Sequence, residues 1–288
     1  MYEELLKGVV DIHIHAGPST AQRSVDAVEM LRLAEAAGYE AFVVKDHYFP
    51  TMLSAVEAEK HTGNGTCRVF GGTCLNNSVG GLNLHAVDVA YQMGAKFICM
   101  PTLSAARHIE THKNAVFAGA SSKPIAVEET PMYYLDEKGE LTEDAVAVVK
   151  YMAEHQEMVL YTGHGSATEV DKVVRKAAEF GSKKVLVNHP FQTVEASLEQ
   201  MIEWSRLGAF IEINASAFPK FIPTSIIGDI LNNIPLDRIV IDTDSGQKGS
   251  NPVDVLCRLI GIMKDEFHVT DHALCVMMKD NPRYLMDL

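Results

Sequence analysis

Cysteine is scarce in this chain. Cys67, Cys74, Cys99, Cys257 and Cys275 are odd in number and form no Cys-x-x-Cys pair, which excludes a disulfide framework and a thiolate metal site. Long apolar runs are missing as well: none approaches the roughly 20 residues that span a bilayer, so no membrane partner is expected. Positive charge is in short supply, with 25 Lys and Arg against 38 Asp and Glu, a formal net charge of −13. A surface of that sign does not gather phosphates, which excludes nucleic acid as a partner. A small anionic ligand stays open, because a bound cation reverses the field locally. The opening MYEELLKGVVDIHIH carries early acids and reaches strand-like sequence at once, leaving no room for a signal peptide. Together with the unpaired thiols, this predicts a cytoplasmic protein.

What the chain does have is a regular alternation. Short β-branched or apolar runs recur at GVVDIHIH (8–15), AFVVKDH (41–47), CRVFGGTCLN (67–76), KFICMPT (96–102), EMVLYTGH (157–164), KKVLVNHP (183–190), AFIEINAS (209–216) and RIVIDTDSG (238–246). Helical stretches lie between them, as in Val25–Ala37, Leu82–Met93, Ala167–Phe180 and Val194–Leu207, each closing at or near a glycine. Strands alternating with helices imply a parallel α/β sheet, and eight strands is the count that closes it into a (β/α)8 TIM barrel. At 288 residues, 47% of them apolar, the chain suits one such domain spanning 1–288. The connection between the fourth and fifth strands, 103–156, is the longest. Glu137-Lys138-Gly139 predicts a hairpin turn there, followed by a helix from about Thr142. An excursion of this length on the active face of a barrel predicts a lid-like insertion.

Chemistry-bearing side chains cluster at the ends of these strands. Residues two apart on a strand share a face, so His13 and His15 both point into the barrel from the first strand. The same reading places Lys45 and His47 on the second strand, His164 on the fifth, His189 on the sixth, and Asp242 with Asp244 on the eighth. Barrel enzymes carry their catalytic groups at strand C-termini, and imidazole with carboxylate suits Zn, with Mn, Fe or Ni also accommodated. A lone histidine is more often a core or surface residue than a ligand; the convergence of five is what carries the reading. The remaining His61, His85, His108, His112, His155, His268 and His272 fall in helices or loops and are assigned no function. Asn76, Asn77, Thr102 and Asn214 sit at strand ends, where they suit substrate contacts or helix caps. Gly71-Gly72 and Gly80-Gly81 could shape a backbone nest for an anion or simply serve turns. Tyr133 and Tyr134 could cover substrate or pack the hairpin.

The HxH at the first strand, single histidines closing the fifth and sixth, and an aspartate closing the eighth resemble the signature of the amidohydrolase superfamily. RIVIDTDSG is similar to the eighth-strand ending of its TatD-like branch, GAFIEI to the seventh strand of phosphotriesterase-like members, and NPRYLMDL to a tail found in both. The resemblance implies a metal-dependent hydrolase with His13, His15, His164 and His189 as ligands. Asp244 would serve as ligand and general base, and Asp242 would lie behind it or act as an alternative ligand. One or two divalent ions are implied. Binuclear members of that superfamily usually carry a bridging lysine or glutamate at the fourth strand, where this chain has Cys99-Met100-Pro101-Thr102. Lys45 could supply the bridge if carboxylated, act catalytically, or stay cationic and hold an anionic substrate group. AAGYEAFVVKDH also resembles the second motif of PHP phosphoesterases, which implies a ligand role for His47, although TDSGQ lacks the closing Ser-Asp-x-His of that group.

Three functions are compatible with these residues. The first is hydrolysis of a small amide, lactone or phosphoester through metal-activated water. The second is a metal-dependent decarboxylase or lyase of the same superfamily, or a PHP-like phosphoesterase. The third is a barrel that binds a small molecule without turnover. A homodimer is only a base-rate expectation.

Overall fold

A computed structural model describes residues 2–113 and 125–288 of the chain. Its strands are β1 (Val10–Ile14), β2 (Ala41–Val44), β3 (Arg68–Phe70), β4 (Gly72–Cys74), β5 (Phe97–Cys99), β6 (Val159–Tyr161), β7 (Val185–Val187), β8 (Phe210–Asn214) and β9 (Ile239–Asp242). All eight anticipated strand segments are present. The third is split at Gly71 into β3, which pairs with β2, and β4, which pairs with β5. Every pairing is parallel, in the orders β1-β2-β3 and β4-β5-β6-β7-β8-β9. The two ends of this series meet through a parallel bridge between Ile14 and Ser245, where the His15 N–H donates to the Ser245 carbonyl at 2.7 Å. The result is the eight-stranded α/β barrel that the alternation predicts.

The helices start where a side chain caps them. Asp26 with Glu29, Ser166 with Glu169, and Ser197 with Gln200 form reciprocal capping boxes, satisfying N–H groups that a helix end leaves open. The Ser197 box explains why the helix expected from Val194 begins only at Leu198. No helix among the described residues is long and apolar enough to cross a membrane.

Inside the barrel, inward positions change character along each strand. Val10, Ile12, Ala41, Val43, Phe97, Cys99, Val159, Tyr161, Leu186, Phe210 and Val240 pack together as an apolar floor. The following inward positions are polar: Lys45, Asn188, Glu212 and Asp242, all buried. Strict alternation would put Ile12 and His13 on opposite faces. The register of β1 against β2 slips between Asp11 and Ile14, and this bulge lets Ile12 join the floor while His13 turns inward above it. Asp11 braces the bulge, its Oδ1 accepting the His13 and Thr243 N–H groups at 3.2 Å each.

Of the long fourth-to-fifth connection, residues 114–124 lie outside the described residues. The rest contains the anticipated turn, with the Asp136 carbonyl accepting from Gly139 N–H and a bridge between Leu135 and Leu141. A helix follows at Glu143–Glu154, capped by Thr142. Tyr134 packs this hairpin down: it is buried, its hydroxyl donates to the Pro101 carbonyl at 2.7 Å, and its N–H donates to Glu169 at 2.8 Å. Tyr133 is exposed.

Closure of the ring depends on a tight approach at Gly246. Its φ of +109° is closed to ordinary L residues, and an added Cβ would run into the His15 carbonyl oxygen. Gly246→Ala is expected to lower unfolding stability by about 3 kcal/mol, the scale of a strained backbone plus a core clash, read from the urea midpoint at unchanged m value.

Candidate metal centre

Each anticipated ligand stands at the end of its strand or one to three residues beyond it. His13 and His15 come from β1, His47 from the loop after β2, His164 from that after β6, His189 from that after β7, and Asp244 from that after β9. The five imidazoles close a circuit. Neighbouring ring centroids are 5.2 Å apart for His13 and His15, 4.8 Å for His15 and His47, and 5.7 Å for His47 and His164. The circuit completes at 5.0 Å between His164 and His189 and 5.3 Å between His189 and His13. Asp244 reaches across it, with Oδ1 at 3.2 Å from His13 Nε2 and 3.1 Å from His15 Nε2. His189 and Asp244 have φ of 47° and 44°, a region uncommon for residues other than glycine, so local strain falls on two members of the centre.

A glutamate not anticipated as a site residue organises the circuit. Glu212, inward on β8 and fully buried, accepts from His13 Nδ1 at 2.8 Å, Asn188 Nδ2 at 2.9 Å and the His189 N–H at 2.7 Å. Its Oε2 also lies 3.2 Å from His189 Nδ1. Burial alone would raise its carboxyl, but His189 and His13 hold it down at about 2, so it is ionised. Because Glu212 engages His13 at Nδ1, the Nε2 of that ring is directed toward Asp244. The signal was a lone acid among the apolar residues of AFIEINAS, an inward strand position that a charge occupies only with partners.

The two other buried aspartates behave differently. Burial raises Asp11 to about 6. Burial, then the charges of Glu212, Asp11 and Asp244, push Asp242 well above the carboxylate range, and neither of its oxygens has a hydrogen-bond partner. Its burial thus favours the protonated form of Asp242, which lies beneath the centre, 4.0 Å from His13 Nδ1. Asp244 goes the other way: His13, His189 and His15 outweigh burial and hold it well below the usual range. Its Oδ2 accepts from Asn214 Nδ2 at 3.2 Å and Ser216 Oγ at 3.3 Å.

Asn76 and Thr102 stand beside His47 and act as braces. Asn76 Nδ2 donates to the His47 carbonyl and to Thr102 Oγ1, both at 2.7 Å, while its Oδ1 accepts from the Thr102 and Ser104 N–H groups. Its hydrogen-bonding capacity is thus used up, so the expected role of Asn76 in substrate contact gives way to a positioning one. Thr102 Oγ1 bonds His47 Nδ1 at 2.8 Å, orienting that ring and leaving the hydroxyl committed. Asn77 is spent on Glu129 and the Thr130 carbonyl. The glycine pairs shape no nest either. The N–H groups of Gly80 and Gly81 are spent on the Asn77 and Asn76 carbonyls, and Gly71-Gly72 let the Thr51 and Phe97 backbones approach.

His108, one of the histidines assigned no function, belongs to the centre. It lies on the helix Ala106–His112 and its Nδ1 meets His164 Nδ1 at 2.9 Å, with the rings stacked at 4.9 Å. Borne on a helix, it gives no signal in the strand periodicity. Lys45 is fully buried, its Nζ 2.9 Å from His13 Nε2, so the lysine reaches the centre that the fourth strand, ending in Cys99, does not.

These residues fit a metal ion. His13, His15 and Asp244, and likewise His13, His189 and Glu212, offer ligand atoms within 4.8 Å of one another. His164 Nε2 is buried without a hydrogen-bond partner, which a coordinated cation would resolve. Burial, followed by the Arg23 charge, pushes His15 down to about 3, and burial lowers His47, His164 and His189. Neutral imidazoles keep the lone pair that a metal needs. Glu212→Gln is expected to weaken zinc affinity by about 10- to 100-fold while the fold persists, measured by competition with a chromogenic chelator.

Solved structures share this architecture. A lactonase from Listeria monocytogenes aligns with a TM-score of 0.58 at 14% identity, covering 99% of this chain and 95% of that one. A phosphotriesterase homology protein from Escherichia coli, solved with phosphate in its active site, gives 0.60 at 12% identity over 96% and 97%. An organophosphorus hydrolase from Deinococcus radiodurans gives 0.58 at 13% identity over 97% and 92%. At such identities the likeness is one of fold. No curated protein matches the sequence. Residues 8–212, which carry every strand from β1 into β8 and all five histidines of the circuit, match DUF6282, described as a family of unknown function, and the chain belongs to that family.

Proposed function

We propose that the chain is a metal-dependent hydrolase of the amidohydrolase type, acting on a small amide, lactone or phosphoester. The closed circuit of five imidazoles, four buried and His47 half-buried, with Asp244 across it carries this reading. The fold it shares with a lactonase and two phosphotriesterase-like proteins supports it. His13, His15, His47, His164, His189 and Asp244 would hold one or two divalent ions, zinc by preference for this nitrogen-rich set. A bound ion of this kind acidifies water and polarises the carbonyl or phosphoryl group to be attacked.

The chain supplies the remaining chemistry. Asp244, ionised and oriented by Asn214 and Ser216, is the group that takes the proton from the attacking water. Glu212 fixes His13 and His189, while Thr102 and His108 fix His47 and His164 from behind. Lys45 either bridges as a carbamate or stays an ammonium at the floor of the pocket. Metal stoichiometry distinguishes the two, with two equivalents for a bridge and one for an ammonium.

Metal analysis of protein purified without chelator is expected to give at least about one equivalent, since His13, His15 and Asp244 offer ligand atoms within 4.8 Å of one another. Well under one equivalent that cannot be reconstituted removes the basis of the proposal. Assays of the zinc-loaded chain against lactones, amides and phosphoesters in oxygen-labelled water should place solvent oxygen in the product. Turnover without label favours a lyase. Asp244→Asn should lower turnover per bound metal by at least about 100-fold.

A further inference from the structure

The loop that leaves β1 carries an arginine for which the hydrolytic chemistry has no use. Arg23 forms an antiparallel bridge with Gln247, and the N–H of the adjacent Ser24 donates to the Gly246 carbonyl at 2.8 Å. Gln247 in turn donates through Nε2 to the Asp244 carbonyl at 3.1 Å. Arg23 is thereby tied to the loop that delivers Asp244. Its charge reaches the centre, acting on His15 and His47 and attracted by both Asp46 and Asp244.

The Arg23 side chain is only 7% exposed, yet its partners leave most of its five N–H donors unused. Among the described residues, Ser19 Oγ accepts from Nη2 at 3.4 Å, and Asp46 Oδ2 forms a loose ion pair with the same nitrogen at 3.6 Å. Nε is buried with no acceptor. An unmet donor on a buried guanidinium is costly, and the planar fork matches an oxyanion. In a chain of net charge −13, a cation beside Asp46 and Asp244 counters the repulsion an anionic ligand would otherwise meet.

We propose that Arg23 is the anion subsite of this pocket, receiving a carboxylate or phosphate group of the ligand beside the imidazole circuit. The substrates are then small oxyanion-bearing molecules and not neutral ones. Naming the ligand a substrate rests on the hydrolase reading, whereas the binding itself does not.

Calorimetric titration of the metal-loaded full chain tests this, with glutarate and inorganic phosphate as probes and glutaramide as the neutral counterpart. At least one anion should bind about tenfold or more tightly than glutaramide. Arg23→Met should lower that affinity by about tenfold or more at unchanged metal content and circular dichroism, and Arg23→Lys should lower it less. Asp46→Asn removes the competing carboxylate but keeps an oxygen for the Tyr48 and Phe49 N–H groups, so it should tighten anion binding. The order of glutarate and phosphate distinguishes carboxylate from phosphate ligands. Equal anion affinity in the wild type and Arg23→Met, or no preference over glutaramide, overturns the proposal and leaves hydrolysis of neutral substrates standing. If Arg23→Met does not fold, unchanged affinity in both Arg23→Lys and Asp46→Asn overturns it. Arg23-dependent binding without any turnover retains the subsite and removes the hydrolase reading alone.

Discussion

The arrangement at the barrel mouth depends on one buried carboxylate. Glu212 has no exposed surface, and a charge in that position is tolerated only when its oxygens are met by donors. The donors are an imidazole from β1, an amide from the end of β7 and the backbone N–H of His189, so one side chain on β8 ties three strands together. Each of these bonds also sets a direction. The His13 ring can present only Nε2 to the pocket once Nδ1 is engaged, and the strained backbone of His189 is held by the bond its own N–H donates.

Around that anchor the barrel shifts its carboxyl groups in opposite directions. Asp11 and Asp242 lie where β1 meets β9, and burial disfavours their ionised forms. Glu212 and Asp244 stay ionised because histidines surround them. Glu212 and Asp244 are thus the ionised carboxylates directed at the imidazole circuit. That is a field suited to a cation above an apolar floor.

Much of this was legible in the sequence because barrel strands are short, β-branched and buried on both faces, and because barrels gather chemistry-bearing side chains at strand C-termini. His13, His15, His164, His189 and Asp244 are readable for that reason. What escaped has a physical cause in each case. The bulge at Asp11 shifts the inward parity of β1, and no residue type announces it. His108 arrives from a helix, where strand periodicity says nothing. Arg23 lies in a loop whose path is set by pairing with residues more than two hundred positions away. Asn76 reads as a polar strand end, and only its saturated hydrogen bonds identify it as a brace.

The bridge between Ile14 and Ser245 has a consequence for how the protein is made. His13 and His15 precede Asp244 by more than two hundred positions along the chain. The β1 histidines meet their carboxylate partner only when the whole barrel has formed, and contacts of such sequence separation slow closure. A cation held by these side chains would bind only the closed ring, and would therefore draw closed molecules out of the pool of partly assembled ones.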